Sequence, residues 1–571
     1  MHARNISLAL LVLILLFNEG NPGILHEFNL FSLELCAAMI SDGAHVVVTD
    51  LTISFGSLAT PPAANTLGRH RWHRVEKDLY LHLGKQSAWL YVATLKKEEL
   101  TTDDLVVTQI RVGEQDSGED LDSEWESRPA GIWVQRCKYT ENHPVVTNLD
   151  VLFGTDAVDP RPQWTLMQQS LQLGIDGRLD IPIARLTVCN GWAKPRPDNP
   201  YTPESLRVRE DGKFKIVQIS DTHMVTGVGV CEDAIDAHGN LLPPSVADPL
   251  TVDFIGGVLD VEKPDLVILT GDQVHHDILD TQSAIFKVVA PLITRSIPFA
   301  AVFGNHDTEG TYALSRGSQM SLLKSLPFSL CQAGPREVEG VGNYYLQVFS
   351  HTSHCPLITL FFLDSHGQIQ STVKDPDYEP IKQSQIDWFK STSQALRKAR
   401  AHETDSENSS HVSLAFMHIP FPEYADSRLE ILSGHRREPT EGPSYNSHFY
   451  DALVEEGVVA VGCGHDHVND FCGLLPRNRG GESQCDDEKL PQAGPWLCYG
   501  GGGGFGGYGS YGENRYHRRM RVWEFDTNTG GIATWKRVEY TRERVDELVL
   551  VERGGLVTLP NVLDKEYRVV K

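Results

Sequence analysis

Cysteine is scarce in this sequence, with 10 residues among 571 and no Cys-x-x-Cys pair. Small secreted proteins that are held together by disulfides use a much higher proportion, and zinc fingers need closely spaced pairs. The scarcity excludes both classes, although it is compatible with one or two isolated disulfides. At this length we expect two domains, or one large domain with elaborations.

Positive charge is in deficit, because 51 Lys and Arg residues face 76 Asp and Glu residues and the net charge is -25. A chain of this sign repels a polyphosphate backbone at long range. We therefore exclude nucleic acid as a partner. A locally cationic metal site would still admit a phosphate group.

Long apolar runs are nearly absent. The run at residues 6–17 is shorter than the about 20 residues that a membrane-spanning helix needs. Its length, and the preceding His2 and Arg4, are typical of a signal peptide. We expect a signal-like or anchor segment over residues 1–23 and entry into the secretory pathway, as a secreted, vacuolar or membrane-anchored protein. An intracellular protein is the alternative.

Four segments in the N-terminal third alternate apolar and polar residues, as antiparallel strands do. They predict a β-rich domain over residues 45–190. Residues 194–203 are rich in Pro and polar residues and cannot form a helix or a central strand, so we place a domain linker at residues 191–207. The four segments are residues 78–83, 88–93, 105–110 and 131–134.

After the linker, short and fully apolar runs alternate with longer segments, which is typical of strands buried on both faces and joined by crossover helices. The pattern predicts an α/β domain over residues 208–540, followed by a C-terminal extension, residues 541–571. The glycine-rich residues 500–509 predict a loop that closely approaches a ligand or another strand, with a flexible linker as the alternative. The apolar runs are residues 214–219, 266–269, 299–303, 357–363, 412–417 and 458–461.

Five of these runs are followed by Asp, His or Asn. Because ligands collect at the carboxyl ends of strands in α/β sheets, we expect the five segments to converge on one crevice. Carboxylate, imidazole and amide groups suit divalent metals, and the absence of thiolate argues against a structural zinc site. The ordered set predicts a hydrolytic metal centre formed by Asp221, His223, Asp272, Asn305, His306, Asp307, His418, His465 and His467.

The five polar segments that follow these runs form sequence blocks whose residues and order resemble those of the calcineurin-like metallophosphoesterase superfamily, over residues 213–522. The resemblance implies a four-layer α/β/β/α sandwich that binds two divalent or mixed-valence ions of Fe, Mn or Zn. It implies that Asp272 bridges the ions and that His306 lies beside the phosphate with Asp307 as its partner. The other implied ligands are Asp221, His223 and His467 for one ion, and Asn305, His418 and His465 for the second.

Within the superfamily, residues 464–472 and 500–509 resemble fungal cell-cycle-regulator phosphatases and plant purple acid phosphatases of the inactive type, those numbered 28 and 29. The purple enzymes have Gly and Tyr where this sequence has His223 and His275. Because the coloured phenolate ligand is missing, we expect no purple colour. His275 and His276 either approach the site or belong to a surface loop.

The resemblance implies a phosphatase that hydrolyses phosphate monoesters of proteins or small molecules. Two ions lower the pKa of a bridging water, so that a hydroxide is expected to attack phosphorus. His306 would add charge or a proton at the leaving oxygen. The alternatives are a phosphodiesterase of the same superfamily and a non-catalytic scaffold on this fold. A membrane is an expected partner only through an uncleaved N-terminal segment.

Overall fold

The computed structural model describes residues 45–56, 70–82, 87–114, 125–141, 144–174, 183–191, 205–371, 376–403, 411–476 and 494–557. The expected signal-like segment, residues 1–23, and most of the expected linker lie outside the described residues. Within the described ranges, no helix has the length and the apolar character needed to cross a membrane.

Nine strands form the N-terminal part of the described chain: β1 Val46–Gly56, β2 Arg71–Arg74, β3 Ser87–Lys96, β4 Leu105–Val112, β5 Trp125–Arg128, β6 Ile132–Lys138, β7 Val146–Phe153, β8 Trp164–Leu166 and β9 Ala184–Asn190. They pair into three antiparallel sheets with the orders β1-β3-β2, β4-β6-β5 and β7-β9-β8. One apolar core, which includes Leu51, Leu90 and Val151, joins the three sheets. The expected β-rich region is confirmed.

The strand that we expected over residues 78–83 is wrong for its described part. Asp78 to His82 form a turn, in which the Asp78 carboxylate accepts the N–H groups of Tyr80 at 3.1 Å, His82 at 3.0 Å and Ala88 at 3.2 Å. Leu81 and His82 have positive φ values of 49° and 61°. Local bonds to an Asp side chain compete with strand pairing, and here they outweigh the apolar alternation.

The rest of the described chain contains sixteen further strands and five α-helices. The strands are β10 Lys213–Ile219, β11 Leu266–Thr270, β12 Phe299–Val302, β13 Tyr344–Phe349, β14 Pro356–Phe362, β15 Val412–Phe416, β16 Glu430–Ser433, β17 Val458–Cys463, β18 Cys472–Leu474, β19 Trp496–Tyr499, β20 Ser510–Tyr511, β21 Asn514–Arg515, β22 Arg519–Asp526, β23 Gly531–Val538, β24 Val545–Glu552 and β25 Gly555–Leu556. The helices are α1 Ala247–Glu262, α2 Thr281–Thr294, α3 Arg316–Lys324, α4 Gln383–Glu403 and α5 Phe449–Glu456.

These strands form two seven-stranded sheets and the hairpin β20-β21. The first sheet has the order β12-β11-β10-β22-β23-β24-β25, and its strands β10, β11 and β12 run parallel. The second has the order β13-β14-β15-β17-β19-β18-β16, with β14, β15, β17 and β19 parallel. The first sheet continues beyond residue 540, because β24 pairs with β23 and β25 pairs with β24.

Alternate side chains of each sheet face different cores, and this fixes the order of the layers. Ile216 and Ile268 of the first sheet meet Leu360 and Leu414 of the second between the two sheets. The other face of the first sheet packs against α1, α2 and α3. The other face of the second packs against α4 and α5. The expected four-layer α/β/β/α sandwich is confirmed.

A disulfide joins Cys472 of β18 to Cys498 of β19, which lie opposite each other in the antiparallel pair. Both residues are fully buried. The bond therefore ties the end of the segment that carries His465 and His467 to the start of the glycine-rich loop at residues 500–509. A single bridge among the described cysteines agrees with the low cysteine content.

Candidate metal centre

The polar segments that follow β10, β11, β12, β15 and β17 meet at one end of the sandwich. Asp221 and Asp272 come from the first sheet, whereas His418 and His465 come from the second. The two sheets touch here, since Nδ1 of His418 bonds to the carbonyl of Thr270, the last residue of β11, at 2.8 Å. A Cβ on Gly271 would stand 2.3 Å from Nδ1 of His418, so glycine is needed where the sheets meet. The predicted convergence is observed.

Several residues of this centre have left-handed backbone conformations, although none of them is glycine. The φ angles are 55° at Asp221, 46° at His223, 49° at Asp272 and 78° at His465. Such a conformation costs on the order of 1–3 kcal/mol per residue and persists only where the surroundings enforce it. At these four positions the left-handed conformation turns the backbone sharply after the end of a strand.

The first ligand group consists of Asp221, His223 and His467, whose donor atoms lie within 4.8 Å of one another. Nε2 of His223 is 3.1 Å from Nε2 of His467, which is 3.6 Å from Oδ1 of Asp221. All three side chains are buried. Two imidazole nitrogens at this distance share either a proton or a cation.

The second ligand group consists of Asp272, His418 and His465. Nε2 of His418 is 3.1 Å from Oδ2 of Asp272 and 3.2 Å from Oδ1 of Asn305. Nε2 of His465 is buried, and no hydrogen-bond partner reaches it from the part of the chain that the structure describes. A buried polar atom without a partner is costly, and a bound ion would satisfy this nitrogen.

Asp272, a member of the second group, also approaches the first. Its Oδ2, which contacts His418, is also 3.8 Å from Nε2 of His223 in the first group. Its Oδ1 accepts the N–H of His306 at 2.9 Å. The Asp272 carboxylate is thus within reach of both sets of donors, and it approaches each more closely than the 4.0 Å that separates Oδ1 of Asp221 from Nε2 of His418.

Burial governs the protonation of four of these side chains. It lowers the pKa of His223 and His465 well below the ordinary value and that of His467 to about 3, so these imidazoles are neutral and offer lone pairs. Burial, and then the charge of Asp272, raises the pKa of Asp221 to about 7. Neutral imidazoles beside crowded, buried carboxylates form a donor set that cations would stabilise. The residues fit two divalent ions.

His306 lies at the edge of the candidate metal centre, with its side chain about one third exposed. Its Nδ1 bonds to the Glu309 carboxylate. Burial alone would lower the pKa of His306, but the charges of Asp272 and Glu309 outweigh it and raise the pKa to about 9. Glu309 was missed in the sequence; its only signal was the spacing of three residues from His306.

The partnership that we expected between Asp307 and His306 is wrong. Both Asp307 oxygens accept backbone N–H groups, from Asp272 at 3.1 Å, Val274 at 3.1 Å and Gly304 at 2.7 Å. Asp307 is fully buried and holds the two loops that present Asp272 and Asn305. The carboxylate beside the His306 ring belongs to Glu309.

His275 approaches the site, as one of the two sequence interpretations proposed. Its Nδ1 is 3.2 Å from Nδ1 of His223, and its ring lies 4.0 Å from the ring of His276. Neither His275 nor His276 belongs to either ligand group. His275 therefore contacts a candidate ligand from its far side.

The glycine-rich loop approaches the first group closely, which confirms the interpretation of residues 500–509. The N–H groups of Gly503 and Gly504 donate to the carbonyls of Ser220 at 2.9 Å and Asp221 at 3.0 Å. A Cβ on Gly504 would stand 2.1 Å from the carbonyl oxygen of Thr222. No other residue leaves room for this contact.

A family model described as calcineurin-like phosphoesterase matches residues 214–469, which carry all the candidate ligands. A curated protein of Arabidopsis thaliana, "Probable inactive purple acid phosphatase 29", is 36% identical over 359 residues, 58% of this chain and 84% of that protein. The chain belongs to the calcineurin-like phosphoesterase family.

The chain is also similar to two further known proteins. "Phosphatase DCR2" of Saccharomyces cerevisiae is 37% identical over 407 residues, 69% of this chain and 64% of that protein, so the chain spans less than two thirds of the yeast protein. A dimetal phosphatase structure from Danio rerio aligns with 59% of this chain and 99% of that chain, at 13% identity and a TM-score of 0.36.

A third cluster of ligand-type residues, formed by His435, Asp470 and Asp546, is already neutralised by the chain itself. The Lys536 ammonium lies 2.8 Å from Asp470 and also contacts Asp546. Arg437 adds a contact to Asp470 at 2.6 Å. The cluster is a network of ion pairs in which the chain's own cations already compensate the carboxylates.

Proposed function

We propose that this calcineurin-like phosphoesterase is a dinuclear-metal phosphatase that hydrolyses phosphate monoesters. The observation that supports this best is the position of Asp272, within 3.1 Å of a donor in the second ligand group and 3.8 Å of a donor in the first. Each group holds imidazole nitrogens and a carboxylate, which suits one divalent ion of Fe, Mn or Zn.

We assign the first ion to Asp221, His223 and His467, and the second to Asn305, His418 and His465, with Asp272 shared between them. When bound, two such ions supply Lewis acidity, activate water and neutralise charge on a phosphoryl group. The chain fixes the donor groups by burying them and by hydrogen-bonding the ring nitrogens that point away from the proposed ions. For example, Nδ1 of His418 bonds to the carbonyl of Thr270 at 2.8 Å.

His306 is the catalytic residue that we assign to the leaving group. Its Nδ1 is taken by Glu309 and its backbone N–H by Asp272, so Nε2 is the nitrogen that remains to face a substrate. A positioned imidazolium there donates a proton, or adds positive charge, at the leaving oxygen. Glu309 orients the ring, and Asp307 holds the backbone of both neighbouring loops.

The charge of the chain and its family support the proposed substrate class. A net charge of -25 disfavours polynucleotides, whose binding depends on Lys and Arg. We propose a phosphorylated protein or a small phosphate ester as the substrate. We retain the secretory pathway as the proposed location.

The test uses the full chain, stripped with a chelator and reloaded with Mn²⁺, Zn²⁺ or Fe. We expect hydrolysis of p-nitrophenyl phosphate well above that of bis(p-nitrophenyl) phosphate, and only with metal present. Asp272→Asn should remove hydrolysis and the stable binding of two ions, because the shared charge is lost. The control is Asp103→Asn, whose side chain is 86% exposed and pairs only at the surface.

Each alternative gives its own result in this test. Preference for the diester would indicate a phosphodiesterase, and two bound ions without turnover on either ester would indicate a scaffold. Two ions and full turnover in Asp272→Asn would contradict the assignment of the shared ligand.

A further inference from the structure

Tyr508 of the glycine-rich loop makes three different contacts with the candidate ligand His467. Its carbonyl oxygen accepts the Nδ1–H of His467 at 2.9 Å, and its hydroxyl oxygen accepts the backbone N–H of His467 at 3.1 Å. The two rings stack with centroids 3.9 Å apart and planes 10° apart. One residue therefore restrains the backbone, the ring plane and the tautomer of His467.

The tautomer matters because a metal is bound by the nitrogen that carries no proton. With Nδ1 donating to the carbonyl of Tyr508, the lone pair of His467 lies on Nε2. This is the atom that faces His223 at 3.1 Å and Asp221 at 3.6 Å. Partners on the far side of a metal-binding histidine orient the ring and raise its basicity.

Tyr508 is itself held by Glu438. The Tyr508 hydroxyl donates to the Glu438 carboxylate, at 3.0 Å from Oε1 and 3.1 Å from Oε2. Glu438 also accepts the N–H of Val468 at 3.0 Å. The carboxylate thus joins the glycine-rich loop to the segment that carries His467, and it is 9% exposed.

Glycine at position 507 makes the arrangement possible. A Cβ there would stand 2.5 Å from Cε1 of His467 and 2.8 Å from Cδ2 of His223. The loop consequently lies directly on two ligands of the first group. In the second group, Nδ1 of His418 has a different partner, the Thr270 carbonyl at the end of β11.

We infer that Tyr508 is a positioning residue for the first metal ion: its ring and carbonyl hold His467 in the metal-binding orientation, and Glu438 holds Tyr508. The inference rests on the proposed dinuclear centre. It deepens that proposal because it makes the affinity of one ion depend on a side chain outside the five sequence blocks, while the second ion is held independently of it.

The test is a titration of the chelator-stripped full chain with Mn²⁺. The electron paramagnetic resonance signal of free Mn²⁺ measures how much of the ion is bound. In Tyr508→Leu we expect one of the two dissociation constants to rise by about 10- to 100-fold, the usual cost of losing such a partner, with the other unchanged. Both variants keep the backbone carbonyl, but Tyr508→Phe also keeps the stacked ring, so its rise should be smaller. Excess Mn²⁺ should restore two bound ions in both variants.

The matched control is Tyr511→Leu, three residues further on, where the tyrosine is 46% exposed. It should bind both ions as the wild-type chain does. A second signature is the visible absorption of bound Co²⁺, which should change for one ion only in Tyr508→Leu. Circular dichroism and thermal unfolding establish that each variant is folded.

A folded Tyr508→Leu variant that binds both ions with wild-type affinity overturns the inference. Equal weakening of both ions also overturns it, because that result indicates general loosening. If Tyr508→Leu does not fold, Tyr508→Phe and Glu438→Gln decide, and unchanged affinity in both overturns it. A wild-type chain that binds two ions but hydrolyses nothing contradicts the proposed phosphatase without affecting this comparison, since the readout is metal binding.

Discussion

His306 makes one hydrogen bond to a candidate ligand and one to a carboxylate outside the two ligand groups. Its backbone N–H donates to Oδ1 of Asp272 at 2.9 Å, whereas its ring bonds to Glu309. The ring belongs to neither ligand group. Removing the ring therefore leaves the donors and the backbone bond in place, which separates the chemistry of the phosphoryl group from the binding of metal.

We predict that His306→Ala keeps two bound ions and lowers kcat by roughly 10²- to 10⁴-fold, the range for a positioned acid. Glu309→Gln should lower kcat less, because the ring stays but loses its charged partner. The control is His448→Ala, whose side chain is 75% exposed. Elemental analysis and turnover of aryl phosphates with different leaving groups are the measurements. Loss of an ion in His306→Ala would contradict the assignment.

The candidate ligands could be predicted from the sequence because each follows a buried strand, and parallel strands bring their carboxyl ends together. The partner of His306 could not. Asp307 is adjacent in sequence, but the turn over His306–Thr308 directs its carboxylate to the N–H groups of Asp272, Val274 and Gly304. Which carboxylate reaches a ring depends on loop conformation, which composition and spacing do not encode.

At the scale of elements, Asp470 connects the segment that carries His465 and His467 to strands of the first sheet. Its carboxylate contacts Lys536 of β23 at 2.8 Å, Arg519 of β22, and Arg437 at 2.6 Å. Burial alone would raise the pKa of Asp470, but these three cations outweigh it and hold the pKa well below its ordinary range. Asp470 is 1% exposed, so solvent screens the network little.

We predict that Asp470→Asn lowers the free energy of unfolding by about 3–5 kcal/mol at neutral pH, because it leaves buried cations without their partner. A carboxyl whose pKa is depressed by folding stabilises the protein above its unfolded pKa of about 4, and that contribution is lost as the pH falls further. The difference between wild type and variant should therefore shrink from pH 7 to pH 3. Denaturant unfolding at several pH values measures it.

The control for this network is Asp260→Asn, which breaks an exposed pair with Arg295. It should change the unfolding midpoint little at any pH. A difference between wild type and Asp470→Asn that does not vary with pH would show that packing, and not charge, carries the effect.

The elements differ in how well the sequence predicted them. The six apolar runs after the linker all lie in or against strands, namely β10, β11, β12, β14, β15 and β17, because a strand buried on both faces has few alternatives. Residues 78–82 alternate convincingly, yet Asp78 captures three N–H groups and closes a turn. A two-residue period is weak evidence where a side chain offers the backbone another partner.

At the scale of the whole molecule, the N-terminal β region packs directly against helix α2. Leu152 of β7 and Ala157 belong to the same apolar core as α1 and α2. The N–H of Phe153 donates to Oγ of Ser283 at 2.9 Å, and Lys287 pairs with Asp156 at 2.9 Å. The domain division at residues 191–207 remains a proposal, but this contact is as buried as the interior of either part.

The contact reaches the loop that carries His306. The ring of His82 stacks on Tyr312 with centroids 3.9 Å apart, and Tyr312 lies six residues after His306. We propose that the β region supports this loop and supplies no metal ligand, since all six donors of the two described ligand groups lie between Asp221 and His467.

We predict that Leu152→Ala lowers the free energy of unfolding by about 2–5 kcal/mol, as expected for a leucine removed from a shared core, while two ions remain bound per folded chain. Leu105→Ala, at a residue 43% exposed in the same region, should lower the free energy of unfolding little.

Because the two parts share a core, the full chain should unfold thermally in one transition, and Leu152→Ala should shift that transition as a whole. Two separate transitions, with only one of them shifted by Leu152→Ala, would show that the β region folds independently. A chain that begins at Leu206 would then be expected to stay folded, whereas a shared core predicts that it aggregates because α2 is exposed.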